Sequence, residues 1–292
     1  MPDLPKRQLG STGLQVTTLG YGAMEIRNLP GRESTDEAAE RILNAVLDTG
    51  INYIDTSIDY GDSEERIGRY IGHRRSEYYL ASKCGCAVGE AASGTRAPHL
   101  FTAENVIAGV EQSLRRLKTD YLDVVQFHHS PSRAQLEEGG LEALEDLQQQ
   151  GKVHFIGMSG TIPNLENHID MGVFDVFQVP YSALQREHED LIHVASEAGA
   201  GIVIRGGVAR GDPARERGGF WDKWQEVEID DLLDGAPRTE FLLRFTISNP
   251  DLDTTIVGTT NPEHLAQNVD ALLMGPLPGD VYKEAKRRLS AP

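Results

Sequence analysis

Residues 52–68 read NYIDTSIDYGDSEERIG: an apolar strand ending on Asp55, a loop carrying Tyr60, then the start of a helix. A carboxylate at a strand tip with a phenol in the next loop is the pattern expected at the C-terminal face of a βα barrel. A phenol is a weak acid, with an unperturbed pKa of about 10. Proton transfer by Tyr60 therefore calls for a neighbouring cation, and the strand YYLASK at 78–83 ends on Lys83.

Strand and helix alternate on both sides of that stretch. A turn at Ser11-Thr12-Gly13 predicts a β-hairpin within 7–20, ahead of a first barrel strand at Val16–Gly20. Ser34-Thr35-Asp36-Glu37 reads as a capping box before a helix with Ile42, Leu43, Val46 and Leu47 on one face, closed by Gly50. A loop spans Cys84–Leu100, and Thr102 opens a helix bearing Val106, Val110, Leu114 and Leu117. Further strands are read at 121–128, 153–159, 173–179, 200–205 and 254–258, separated by amphipathic helices, with a longer polar loop over Ala209–Gly235. Strand–helix pairs recur every ~25–35 residues, eight times. The expectation is an α/β chain forming a single (β/α)8 TIM barrel domain over residues 1–292, with an N-terminal β-hairpin and an extra C-terminal helix. No GxGxxG follows the first strand, which disfavours a doubly wound dinucleotide fold.

The net charge of −17 disfavours nucleic acid or an anionic membrane surface as partner. No apolar run approaches the roughly 20 residues of a membrane span, and MPDLPKRQLG does not read as a signal peptide. Cys84 and Cys86 lie too close together to staple distant segments and are too few for a structural zinc site. They read as small apolar fillers in a reducing, cytoplasmic compartment.

Asp55, Tyr60, Lys83 and His128 thus fall at strand C-termini on one face. An ammonium beside a phenol favours the phenolate; Asp55 would hold the ammonium, and His128 would orient a carbonyl oxygen. Each has an ordinary structural role as well: helix cap, packing, solvated strand end, core histidine. The four together, in this order, point to chemistry.

With INYIDTSIDYG, LASK, DVVQFHH, FIGMSG, FQVPYSALQRE and IVGTTNPEHLAQNVDAL in succession over most of its length, the chain resembles the aldo-keto reductase family. The resemblance implies a nicotinamide cofactor across the barrel mouth and Asp55, Tyr60, Lys83 and His128 as catalytic tetrad. It implies reduction of an aldehyde or ketone by hydride transfer, with Tyr60 as general acid and no metal. Gly22, Ala23 and Met24 would lie near the nicotinamide, and Asp55 beside it. Ser159, Gly160 and Gln178 would meet its carboxamide. Arg205, Gly206, Gly207 and Val208 would follow the cofactor along strand 7, and Gly258, Thr259, Thr260, His264, Gln267 and Asn268 would hold its adenosine end.

Several positions depart from the family pattern. Gly160 stands where an asparagine usually follows the serine, and Arg205 where many members stack a tyrosine on the nicotinamide. The loop 209–235, with Phe220, Trp221 and Trp224, is placed to fold over the pyrophosphate or else is an unstructured surface loop. The tail after Leu273 is short. Gly258 and His264 replace the lysine and arginine that usually grip the 2′-phosphate, which predicts NADPH preferred over NAD(H) by a reduced margin. Two other readings compete: a cofactor-binding regulatory or redox-sensing subunit with little turnover, and a metal-dependent barrel hydrolase using Asp55, His128, His129 and His154. Against the last, adjacent strand residues point to opposite faces, which would set His128 and His129 apart.

Overall fold

The computed structural model describes residues 3–28, 34–88, 98–209 and 220–290. A two-stranded antiparallel hairpin, β1 (Lys6–Gln8) and β2 (Gln15–Thr17), precedes eight parallel strands: β3 (Leu19–Gly22), β4 (Tyr53–Asp55), β5 (Tyr79–Cys84), β6 (Leu122–Phe127), β7 (Val153–Ser159), β8 (Val176–Pro180), β9 (Gly201–Arg205) and β10 (Thr254–Val257). They close into a barrel in the order β10-β3-β4-β5-β6-β7-β8-β9. The helices are α1 (Asp36–Asp48), α2 (Ser63–Tyr70), α3 (Ala103–Leu117), α4 (Arg133–Leu136), α5 (Gly140–Gln149), α6 (Leu165–Met171), α7 (Glu189–Glu197), α8 (Phe220–Glu226), α9 (Arg238–Ile247), α10 (Pro262–Met274) and α11 (Gly279–Leu289). This is the (β/α)8 barrel that the sequence predicts, with its hairpin and its extra C-terminal helix.

Strand side chains alternate between two faces, and the barrel uses each face differently. Leu19, Tyr21, Ile54, Leu80, Val125 and Phe177 face outward and join the helices in the larger apolar core. Tyr53, Ala81, Val124, Val176 and Val203 form a separate buried cluster with Leu9 and Val16 of the hairpin. The hairpin therefore plugs the barrel with its own apolar residues. Its seat is tight: a Cβ on Gly10 would collide with the backbone at Gly201, and one on Gly201 would stand 2.6 Å from Leu9 Cγ. The Arg7 guanidinium ties the hairpin to the carbonyls of Ile247, Asn249 and Leu252.

Local signals fixed most boundaries, with instructive exceptions. Thr102 caps α3 through Asn105 N and Thr35 caps α1 through Ala38 N. Because Thr35 rather than Ser34 is the cap, the third helical position is Ala38, which cannot reach back; the expected capping box is a one-sided cap. The first barrel strand begins at Leu19, later than Val16–Gly20. The Thr17 hydroxyl bonds Leu19 O two residues on, a local competitor that separates β2 from β3. Of the expected loop 209–235, residues 210–219 lie outside the described residues, while 220–226 are helical. Trp221 and Trp224 are buried; Trp224 Nε1 donates to Asp230 Oδ1 at 2.8 Å, and the Arg238 guanidinium lies 5.8 and 5.7 Å from the two ring centroids. These two indoles are anchors in the core, neither a free cover nor an unstructured surface. After Leu273 the chain adds α11, which Lys286 joins to Glu189 at 2.6 Å and Arg186 clasps through Lys286 O.

Candidate active site at the barrel mouth

The inward face that is apolar in the barrel's middle becomes polar one step further along each strand. Two residues beyond Tyr53, Ala81, Val124, Val176 and Val203 stand Asp55, Lys83, Gln126, Gln178 and Arg205. Pairing of Lys83 with Gln126 in the β5–β6 ladder sets two of them side by side. The mouth is thus built by period-two alternation on strands that end together.

Lys83 and Asp55 are its centre. The ammonium donates to Asp55 Oδ2 at 2.7 Å and to Thr56 O at 2.8 Å, with both side chains essentially inaccessible. Asp55 Oδ1 accepts from Gln178 Nε2 at 2.7 Å and from Gln126 Nε2 at 3.3 Å. A buried ion pair persists only where its remaining donors and acceptors are satisfied, and two carboxamides do that here. Lys83 Nζ lies 4.9 Å from the centroid of the Tyr60 ring. Burial raises the Tyr60 pKa and Lys83 opposes that shift; the net direction is upward. The cation alone would lower the phenol, as the sequence predicts; desolvation of the half-enclosed ring outweighs it. Lys83 is itself desolvated, but Asp55 and Tyr60 more than compensate and its pKa rises.

His128 follows β6 and stands edge-on to Tyr60, ring centroids 6.2 Å apart. Burial, then the charge of Lys83, hold its pKa well below the ordinary range, so it is neutral. Its Nδ1 lies 3.2 Å from Cys86 Sγ and 3.6 Å from Asp59 Oδ1. Cys84 is a buried apolar filler, as the sequence suggests, but Cys86 is a neighbour of the site, and burial pushes its thiol pKa up. Gln126 and Cys86 were both missed. For Gln126 the signal was available: it shares a face with His128 in the run Val124-Val125-Gln126-Phe127-His128.

The expectation that His128 and His129 diverge is overturned. Strand β6 ends at Phe127 and His129 adopts φ 64°, so alternation no longer applies and the rings sit 3.9 Å apart. His154 is not part of the site. It lies at the start of β7, at the opposite end of the barrel, stacked on Tyr121 at 4.6 Å.

The expected cofactor residues line one arc of the mouth. Gly22 ends β3, and Ala23 and Met24 begin a 3-10 turn. Ser159 ends β7, and its Oγ faces Gln178 Oε1 at 3.5 Å. That long contact leaves the hydroxyl and the amide oxygen with capacity for a further carboxamide. Gly160 follows, packed against Leu165 and Met158. Arg205 ends β9, open to solvent yet deep enough for burial to lower its pKa, with Tyr60 and Asp55 opposing. Gly206 follows with φ 76°, Gly207 O accepts from the Thr246 hydroxyl at 2.8 Å, and Val208 packs against the core. Gly258 passes so close to β3 that a Cβ would stand 2.5 Å from Gly22 O. Thr259 O accepts from the Tyr21 hydroxyl and Thr259 Oγ1 from Asn261 N, while Thr260 is half-buried beside it. Asn261 caps α10 and Pro262 opens it; His264 and Gln267 are exposed on that helix, Asn268 partly so. Glycines that admit close approach, a carboxamide-competent pair and a helix N-terminus suit a nicotinamide dinucleotide laid across this arc.

Known proteins resemble the chain in sequence and in fold. Residues 18–215 match the model of the aldo/keto reductase family. The chain is 27% identical to the uncharacterized oxidoreductase YqkF of Bacillus subtilis, over 91% of this chain and 90% of that protein. It is 26% identical to L-galactose dehydrogenase of Arabidopsis thaliana, covering 93% and 89%. The holo form of aldo-keto reductase AKR11C1 from Bacillus halodurans superposes with a TM-score of 0.88 at 27% identity, over 98% of this chain and 96% of that one.

Proposed function

Because the chain belongs to the aldo/keto reductase family of oxidoreductases, we propose that it reduces aldehydes or ketones to alcohols with NADPH, Tyr60 serving as general acid. The observation that carries this reading is the buried Lys83, fixed to Asp55 at 2.7 Å and lying 4.9 Å from the Tyr60 ring. When bound, the nicotinamide supplies the hydride. Ser159, Gln178 and the glycine-lined arc would hold it. The protein's own part is to place proton donors where negative charge develops on the carbonyl oxygen.

Tyr60 gives its proton to that oxygen. In the reduction direction a raised phenol pKa is no obstacle, because the group starts protonated. Lys83 stabilises the phenolate left behind, which the enclosed ring alone would disfavour. His128 orients the carbonyl. The Cys86 thiol, kept protonated by burial, lies 3.2 Å from His128 Nδ1; in the tautomer in which it donates to that nitrogen, the ring proton resides on Nε2, where it can be given to substrate. No nucleic acid or membrane partner is part of this reading, and no helix among the described residues is long and apolar enough to cross a membrane; the protein is read as cytoplasmic.

Oxidation of NADPH followed by absorbance across a panel of aldehydes, ketones and sugars tests the proposal. Turnover on at least one carbonyl class is expected. Cofactor binding with no turnover on any of them would instead support a regulatory, cofactor-sensing subunit.

A further inference from the structure

Four side chains that are not all required for carbonyl reduction converge beside His128. Cys86 Sγ and one ring nitrogen each of His99, His128 and His129 lie within 4.8 Å of one another. They come from three places in the chain, and the backbone brings them together. Cys86 and His99 face each other in an antiparallel bridge at the neck of the loop after β5. That neck is closed by Ala87 N to Pro98 O at 3.0 Å and Leu100 N to Gly85 O at 2.7 Å. His129, in the left-handed region, folds its ring back to 3.8 Å from His99 and 3.9 Å from His128.

We propose that Cys86, His99, His128 and His129 form a zinc site at the barrel mouth, and that Zn2+ bound through His128 Nδ1 draws the ring, with its Nε2–H, out of line with the carbonyl and stops turnover. Three imidazoles and a thiolate make a closed, borderline-soft donor set of the kind Zn2+ takes tetrahedrally, with Zn–N about 2.0–2.1 Å and Zn–S about 2.3 Å. Those bond lengths put ligand atoms about 3.3–3.7 Å apart. The Cys86–His128 pair, at 3.2 Å, is slightly closer than that and opens to admit the metal. The contraction falls on His99, which is half-buried, and His129, which is exposed. On binding, the Cys86 S–H bond breaks, the proton leaves to water and the sulfur's electron pair goes to the metal. Lys83 and Arg205 repel a cation here; the thiolate and Asp59, 3.6 Å from His128 Nδ1, offset them. The inhibitory half of the proposal rests on the reductase reading. The metal half does not.

Titration with Co2+, a spectroscopic stand-in for zinc, is expected to give tetrahedral d–d bands and a thiolate-to-cobalt charge-transfer band. Both should saturate at one equivalent and be displaced by Zn2+. Cys86→Ala should lose the charge-transfer band. His99→Phe should weaken Zn2+ binding by at least about tenfold, while its metal-free turnover matches that of the parent. One equivalent of Zn2+ should inhibit the parent reversibly by chelator, Mg2+ should not, and His99→Phe should resist. No charge-transfer band, or Zn2+ affinity unchanged in both variants, would overturn the site; full turnover with Zn2+ bound would overturn its effect on His128. The cobalt spectrum needs no turnover, so failure of the site and failure of the reductase reading are told apart.

Discussion

At the scale of single residues, the site turns on one hydroxyl and one ammonium. Tyr60→Phe removes the proton donor and keeps the ring that stands edge-on to His128. Cofactor affinity should be little changed and turnover should drop at least about 10²-fold, the low end for losing a positioned acid. Turnover near that of the parent would end the assignment of Tyr60. Lys83→Met acts on the same proton from the other side. Without the ammonium, burial acts on the phenol unopposed, and its pKa climbs further. Alcohol oxidation, which needs Tyr60 as base, should then suffer most near neutral pH and recover in part as pH rises. Asp55 keeps Gln126 and Gln178 as donors, which limits the structural damage. A defect equal at every pH, in a variant shown to be folded, would mean that Lys83 works by some route other than the phenol.

Among the elements, β10 and α10 decide how the 2′-phosphate is read. A lysine at 258 is barred sterically, because any Cβ there runs into Gly22 O where β10 and β3 meet. What remains is the Asn261-capped helix N-terminus, the Thr259 and Thr260 hydroxyls and the exposed His264. Charge-assisted bonds are roughly twice as strong as neutral ones, so His264→Arg should raise the kcat/KM ratio of NADPH to NADH. A ratio unmoved by this change would place the phosphate out of reach of α10. The strands that carry the site were legible because apolar alternation marked them and Asp55, Lys83 and His128 fell at their ends. Less legible was whatever depended on neighbours. The divergence of His128 and His129 was inferred from strand geometry that stops one residue too soon. Trp221 and Trp224 lay in a polar stretch whose local composition says nothing of the Arg238 guanidinium that stands over both rings. Gln126 stood on the legible face and was passed over for want of a charge.

For the molecule as a whole, pH sets two tendencies against each other. A chain of net charge −17 repels itself, and acidification relieves that repulsion. Buried histidines run the opposite way. Burial holds His128, His168 and His188 below the ordinary range, although the Pro131 carbonyl opposes the shift at His168 and Glu187 at His188. Each is neutral when folded and protonates more readily when unfolded. Below the unfolded value of about 6.5 the unfolded chain therefore binds more protons, and stability falls with pH. Asp253 has the reverse sign: burial lifts it to about 6, so the folded chain takes that proton first and gains stability as pH drops from there toward 3.8. A single stability curve mixes all of these, but a difference curve does not. His168 is fully buried, with Nε2 2.6 Å from Pro131 O. Glutamine can offer an N–H to the same carbonyl without titrating. Any packing cost of His168→Gln is constant with pH and appears as an offset. Above pH 7 the stability difference between parent and variant should be flat. Below about 6.5 the parent should lose ground by up to about 1.4 kcal/mol per pH unit, until the folded-state pKa of His168 is reached. Denaturant unfolding of both proteins between about pH 5 and pH 8 measures it, and a difference that stays flat through that window would show that His168 is not held neutral by the fold.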